Sequence, residues 1–292
     1  MEFVDGHPLA SVVMISWNRK DILRRVLAEL RWQTYPACEI VLADNGSTDG
    51  APEMVMDEFP EVRLLRLSQN LGIKAYNLAL ENCSGETVVI LDSDSFLENE
   101  GIAKIVYKFM KYPALGALGC KVYYYDSGRI HHWHPTVRQE TGPEEGFHSP
   151  LFNGCAAAVR RAVVEEVGFY PEEFFLYENE RDLCTRIINA GYEVRYFTDI
   201  SGYHMVPDET GRSDRLIYYS TRNLLWYSWK HLPAGTALRR TASLTAYSAY
   251  LALQSRRPMT HLRPVLAGLV GLPSMWRHRN PVRRECLPRI LY

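Results

Sequence analysis

The sequence predicts an α/β fold: a mostly parallel central sheet with flanking helices, followed by a C-terminal helical appendage. Three observations predict it. Short β-branched apolar runs alternate with stretches of helical periodicity through the first half of the chain. Three of those runs stop at polar clusters, Asp44-Asn45, Asn70 and Asp92-Ser93-Asp94, where an α/β sheet puts its ligand site. From Leu216 onward the chain reads as helix, broken at Pro233, Pro258, Pro264 and Pro273.

Leu9 to Ile15 is a buried strand by composition, and Ile22, Leu23, Val26, Leu27 and Leu30 then recur at helical spacing. EIVLAD is a second strand ending at Asp44, and NGSTDG is a loop. Pro52 to Phe59 reads as a short helix with proline in its first turn. VRLLRL, TVVIL, GALGCKVYYY, FNGCAAAV and YEVRYF read as further strands. Ala75 to Glu81 reads as a helix, and RDLCTRIINAG as one closed by Gly191. The stretch between Asp126 and Pro150 is loop-like and rich in Gly, Pro and His.

The chain has 292 residues and a net charge of −1, which hides an asymmetry. From His231 to Tyr292 there are ten Arg, no Lys and one acid, so this tail is +9 and the remainder −10. Such a tail suits an anionic partner, a membrane surface or a phosphate-bearing substrate; a solvated helical face or a homodimer surface is the alternative. Nothing points to nucleic acid. Six Cys without C-x-x-C spacing, no basic leader and no apolar run of spanning length describe a cytoplasmic chain with reduced thiols.

The chemistry concentrates at a few places. If the fourth strand persists to Asp94, Asp92 and Asp94 point to the same side. Two carboxylates aimed at one spot repel unless a cation lies between them, and hard oxygen ligands suit Mn²⁺ or Mg²⁺. Asp44 could accept a hydrogen bond from a base N–H, or merely begin a turn. Neither G-x-G-x-x-G after a strand nor a P-loop is present, so a nucleotide would be held through a metal. Glu178, Glu180 and Asp182 stand before a helix, as caps or as general-base candidates. The His131–His134 run lies in a loop without a partner Cys and reads as loop.

These motifs together resemble glycosyltransferase family two, in particular its rhamnosyltransferase-like bacterial branch. The likeness runs from about Leu9 to Asn223, through SVVMISWNRKDILRRVLAEL, VLADNGSTDG, NLGIKAYN, ILDSDSFLE and the long FNGCAAAV…NAGYEV segment. It implies a GT-A fold over residues 1–230, with a nucleotide-sugar half over about 1–122 and an acceptor half over about 123–230, and a basic appendage over 231–292. It implies inverting, metal-dependent transfer of a sugar from a nucleotide diphosphate, dTDP or UDP favoured, to a hydroxyl on a glycan or lipid-linked intermediate. Asn18, Asp44, Asn45, Asn70, Gly72, Asn77, Asp92 and Ser93 would serve the nucleotide. Asp94, Asp92 and His204 would hold Mn²⁺ or Mg²⁺. Asn153, Gly154 and Asn179 would face the acceptor. Glu180 would be the general base and Asp182 its fallback. The family usually carries two adjacent acids here, and this chain has Asn179-Glu180. The resemblance therefore also admits a degenerate nucleotide-sugar-binding protein, or a transferase acting on a small secondary metabolite. The location implied is cytoplasmic, with peripheral contact at the inner face of the membrane through the basic tail.

Overall fold

The computed structural model describes residues 3–4, 6–131, 141–206 and 213–291. A short hairpin, β1 (Phe3–Val4) and β2 (His7–Pro8), precedes the sheet. The first half alternates β3 (Ala10–Ser16), α1 (Lys20–Leu30), β4 (Cys38–Asp44), α2 (Ala51–Glu58), β5 (Val62–Arg66), α3 (Lys74–Glu81) and β6 (Thr87–Asp92). The second half has β7 (Ser95–Leu97), α4 (Gly101–Lys111), β8 (Leu115–Tyr124), β9 (Phe147–His148), β10 (Ala156–Arg160), α5 (Arg161–Val167), α6 (Asn179–Asn189) and β11 (Glu193–His204). Helices α7 (Asp214–His231), α8 (Ala234–Gln254), α9 (Pro258–Arg277) and α10 (Leu287–Ile290) follow.

One sheet runs in the order β5-β4-β3-β6-β10-β8-β11-β7, with β9 on β11. Strands β5, β4, β3 and β6 are parallel, as βαβ crossovers require. Beyond β6 the sheet is mixed: β10 runs antiparallel to both neighbours, whereas β11 is parallel to β8. No helix joins β8 to β10 among the described residues, so nothing there enforces a parallel crossover.

The alternation of side chains along the buried strands builds two cores. Val12, Met14, Val89 and Leu91 face α1, α2 and α4, while Val13, Val88 and Ile90 face α3, α5 and α6.

Two expectations about local structure change. The fourth strand stops at Asp92; Ser93 and Asp94 make a turn into β7, so the two acids converge by turn geometry rather than by strand alternation. Pro264 and Pro273 do not break the chain but lie inside α9. Tertiary packing overrides their local preference. Pro264, Val265, Gly268 and Met275 are buried, and the helix presses against α7 at glycines. A Cβ at Gly268 would lie 2.5 Å from Leu225 Cδ1, and Trp226 Nε1 donates to Gly268 O at 2.9 Å.

The chain end also packs back on the core. Val282, Cys286 and Ile290 are buried in the second cluster, and Arg283 N donates to Asn189 Oδ1 at 2.8 Å. A buried ion group staples α6 to the end of α7. Asp182 is fully buried; its Oδ2 meets His231 Nε2 at 2.6 Å and Lys230 Nζ at 3.0 Å, and its Oδ1 meets Arg186 Nε at 2.7 Å. Burial alone would raise the Asp182 carboxyl, but its contacts with His231, Arg186 and Lys230 hold it far below its ordinary range.

Removing one partner from such a group leaves uncompensated buried charge. Asp182→Asn should therefore cost about 3–5 kcal/mol, read as a fall in the urea midpoint. Because the folded carboxyl titrates below its unfolded value, its stabilisation is complete above about pH 4 and is lost as the pH falls further. The parent should thus lose stability on acidification more steeply than Asp182→Asn. Equal acid sensitivity of the two proteins would dismiss the staple.

Candidate active site

The site lies beyond the carboxyl ends of β3, β4 and β6. At the end of β6, one carboxylate oxygen each from Asp92 and Asp94 and one imidazole nitrogen of His204 lie within 4.8 Å of one another. His204 reaches this point because it ends β11, beside β7. Its Nε2 is 3.1 Å from Asp94 Oδ1. Burial lowers the pKa of this imidazole, and its Nδ1 is buried without a protein partner. Two carboxylates and a neutral imidazole are a fitting donor set for a divalent cation. Tyr76 braces the group: its hydroxyl donates to Leu91 O at 2.8 Å and lies 3.2 Å from Asp92 Oδ1. Ser95 Oγ accepts from Asp92 N at 3.0 Å and bonds Cys155 O, tying the turn to the strip before β10. The other oxygen of Asp94 is taken by the Arg19 guanidinium.

The donor side is built from the loops after β3, β4 and β5. Asp44 is 2% exposed; Oδ1 accepts from Ser47 N at 2.8 Å, while Oδ2 is buried and has no protein partner. Its neighbour across the ladder, Ser16, likewise has an unpartnered buried hydroxyl. Asn18 adopts φ 51° and locks to the same loop, accepting from Thr48 N at 2.8 Å. Several expected nucleotide residues have their amides committed to backbone. Asn45 Nδ2 donates to Gly72 O and its Oδ1 accepts from Leu71 N; Asn70 Oδ1 accepts from Gly72 N. Asn77 is buried and exchanges two bonds with the backbone of Tyr170, at 3.0 and 2.9 Å. Ser93 is buried in the turn.

Glu180 stands in the first turn of α6, half-buried. Its pKa is raised to about 7, chiefly by burial, with Asp92 and Glu178 raising it further; a hydrogen bond from Asn179 opposes them. Gly154 makes room for it: a Cβ there would lie 2.6 Å from Glu180 Oε1. Asn153 lies beside it, with Nδ2 3.5 Å from His131 Nδ1. The His131 ring is 5.5 Å from that of His204, so one member of the histidine run borders the metal group. His132 to His134 lie outside the described residues. The second acid, Asp182, is spent in the staple.

Sequence reasoning missed what aims Glu180. Phe175, Tyr177 and Glu178 all have positive φ without being glycine, a costly conformation that needs support. Asn223, fully buried on α7, supplies it: its Nδ2 lies 3.0, 2.7 and 2.8 Å from the carbonyls of Phe174, Leu176 and Tyr177. Arg222 adds a bond to Phe174 O at 2.7 Å. On the other side Gly72, at φ +60°, lets the backbone approach; a Cβ would lie 2.4 Å from Phe175 O. Only the Arg222-Asn223 pair, followed by the apolar and aromatic stretch Leu224–Tyr227, hinted at this in the sequence.

The described helices include none long and apolar enough to cross a membrane. The profile of Glycosyl transferase family 2 matches residues 11–168. An N-acetylglucosaminyl-diphospho-decaprenol L-rhamnosyltransferase of Mycobacterium tuberculosis is 27% identical over 237 residues, covering 69% of this chain and 77% of its own length. The O-antigen biosynthesis protein RfbC of Myxococcus xanthus is 26% identical over 214 residues, 65% of this chain but 17% of that protein. Among solved structures, the Pyrobaculum calidifontis mannosyltransferase PcManGT in complex with GDP-Man and Mn²⁺ superposes with a TM-score of 0.61 at 22% identity, covering 91% of this chain and 87% of that one. Staphylococcus aureus TarS 1–349 in complex with UDP-GlcNAc superposes with a TM-score of 0.66 at 17% identity, covering 91% and 81%. The family match spans just over half of the 292 residues, and on that ground the chain belongs to glycosyl transferase family 2, as a glycosyltransferase of GT-A fold.

Proposed function

We propose that this enzyme transfers a deoxyhexose from dTDP or UDP, with inversion, to a hydroxyl of a lipid-linked glycan intermediate. The observation that carries the chemistry is the placement of a proton-accepting Glu180 beside the Asp92–Asp94–His204 group. The named activity of the mycobacterial relative supports the sugar and the acceptor class. Asp44 Oδ2, buried and unpartnered, suits a base N–H. Asn45, Asn70 and Asn77 act on the nucleotide through the backbone they shape.

Asp92, Asp94 and His204 would hold Mn²⁺ or Mg²⁺, and a divalent cation bound there neutralises charge on the departing diphosphate. Glu180 accepts the proton of the acceptor hydroxyl as its oxygen attacks the anomeric carbon from the face opposite the leaving group. A carboxylate is a weak base toward an alcohol, so the proton moves late; burial raises its basicity toward the working pH. Asp182 cannot share this role while Arg186, Lys230 and His231 hold it. Asn153, Gly154 and Asn179 border Glu180 on the side we assign to the acceptor.

The tail supports peripheral membrane contact. α8 carries no charge between Arg240 and Arg256, and α9 none between Arg263 and Arg277. Leu253 is 88% and Val270 81% exposed, with Leu238, Leu266 and Trp276 also exposed. An apolar hairpin surface with Arg at its ends suits an anionic leaflet.

Calorimetric titration with TDP, UDP and GDP, each with and without Mn²⁺, tests the donor reading. One nucleotide should bind in a metal-dependent way, and Asp94→Ala should lose that dependence; binding of none removes the reading. Glu180→Gln should cut kcat by about 10²–10⁴-fold while sparing donor binding. The parent's kcat/KM should rise with pH through an acid limb near or somewhat below 7, since a cation at Asp92 removes one raising influence, and clearly above the ordinary 4.5. Gly154→Ala should displace the Glu180 carboxylate and lower kcat with little loss of stability. Full activity in Glu180→Gln would refute the base. For the tail, deletion would expose the core, so substitution is the cleaner test. Leu253→Asp with Val270→Asp should abolish co-sedimentation with phosphatidylglycerol vesicles at unchanged Tm. Undiminished co-sedimentation, or loss of a homodimer instead, would assign this face elsewhere.

A further inference from the structure

We infer that Arg19 is the resting counter-ion of the metal group and becomes a clamp on the donor diphosphate when the site loads. The inference rests on the metal and donor reading above. Neither oxygen of Asp94 is open: Oδ1 faces His204 Nε2 at 3.1 Å, and Oδ2 is bonded by Arg19 Nη1. A cation that uses the second oxygen of Asp94 must therefore dislodge the guanidinium. The two partners differ in what leaving costs them. The Asp94 side chain is 4% exposed and needs a positive neighbour at all times, whereas that of Arg19 is 45% exposed and can swing without crossing a desolvation barrier.

The backbone under Arg19 keeps the released group at the site. Its neighbours are pinned on both sides to the loop after β4. Asn18 N donates to Ser47 Oγ at 2.9 Å, Thr48 N donates to Asn18 Oδ1 at 2.8 Å, and Lys20 N donates to Asp49 Oδ2 at 2.8 Å. Arg19 thus bridges the Asp44 loop, which we assign to the base, and the end of β6, which we assign to the metal. A diphosphate spanning those two points passes the guanidinium. The planar fork of Arg pairs two phosphate oxygens at once, which an ammonium does not.

Two consequences follow from mass action. Metal alone competes with Arg19 and binds weakly. Metal with a nucleoside diphosphate binds tightly, because the displaced guanidinium gains a partner. The coupling is reciprocal, so each ligand strengthens the other by the same factor.

Free Mn²⁺ is followed by electron paramagnetic resonance during titration of the parent, Arg19→Gln, Arg19→Lys and Asp94→Ala, with and without the nucleoside diphosphate that binds the parent. The parent should gain about tenfold or more in Mn²⁺ affinity when the nucleotide is present. Arg19→Gln should bind Mn²⁺ alone about tenfold more tightly than the parent and lose most of the coupling. It should also bind the nucleoside diphosphate more weakly while binding the unphosphorylated nucleoside as before. Arg19→Lys should keep the weak binding of metal alone yet recover only part of the coupling. If Arg19→Gln matches the parent in both quantities while Asp94→Ala loses Mn²⁺, the metal reading stands and the role of Arg19 is overturned. If the parent binds no Mn²⁺ in any mixture, the metal reading falls and this inference falls with it.

Discussion

Three carboxylates crowded into one cleft set the terms for the rest of this molecule. Asp92 and Asp94 converge at the end of β6, and Glu180 is close enough to Asp92 for its proton affinity to rise. Like charges at this spacing in a partly desolvated site are unfavourable unless something positive or hydrogen-bonding answers them. The structure answers each differently. Asp94 receives a guanidinium and an imidazole, Asp92 receives the Tyr76 hydroxyl, and Glu180 receives only the Asn179 amide and its own backbone. No cation answers Glu180, and burial raises its pKa. On the proposed function, one acid is thus kept ready to take a proton and two are kept ready to take a cation.

Holding Glu180 where it is under-compensated requires rigid backbone. The chain reaches α6 through residues 174–178, three of them at positive φ. This kink is fixed from α7 by Asn223 and Arg222 and from the donor side by Gly72. The Asp182 staple then fixes the orientation of α6 itself against α7. Glu180 is therefore aimed by the helix that follows the GT-A sheet, and α7 is in turn packed by α9. Surface and site are mechanically continuous, which suits an enzyme whose proposed acceptor arrives at the face carried by α8 and α9.

Much of this was legible in the sequence, for a physical reason. Apolar strands ending in Asp44 and Asp92 are continuous β-branched runs that local sequence records, and a carboxylate at a strand end has few structural uses. Residues whose importance lies in contacts far along the chain were not legible. Asn223 acts on carbonyls 46 to 49 positions earlier, and Gly154 matters only because Glu180 fills the space a side chain would take. Arg19 reads as one basic residue of a loop until Asp94, 75 positions away, comes to meet it. Pro264 and Pro273 misled because proline preference is local, whereas burial of the inner face of α9 against α7 is not. The turn at Ser93-Asp94 is hidden in the sequence because no Gly or Pro marks it, and only the ladder with β11 shows where one strand stops and the next begins.

Asn179 is the residue that counts against activity when it is judged by pattern alone, and the electrostatics reverse that judgement. Asp92 and Glu178 already raise the proton affinity of Glu180. An acid at position 179, buried at 2% exposure, would add a third negative neighbour and push Glu180 toward the protonated state at neutral pH. The amide instead donates a hydrogen bond to the carboxylate and lowers its pKa. For the base role proposed above, an amide that lowers the Glu180 pKa favours the ionised form while burial keeps the carboxylate basic. The departure from the family's usual pair of acids is, on this reading, a retuning of the base and not its loss.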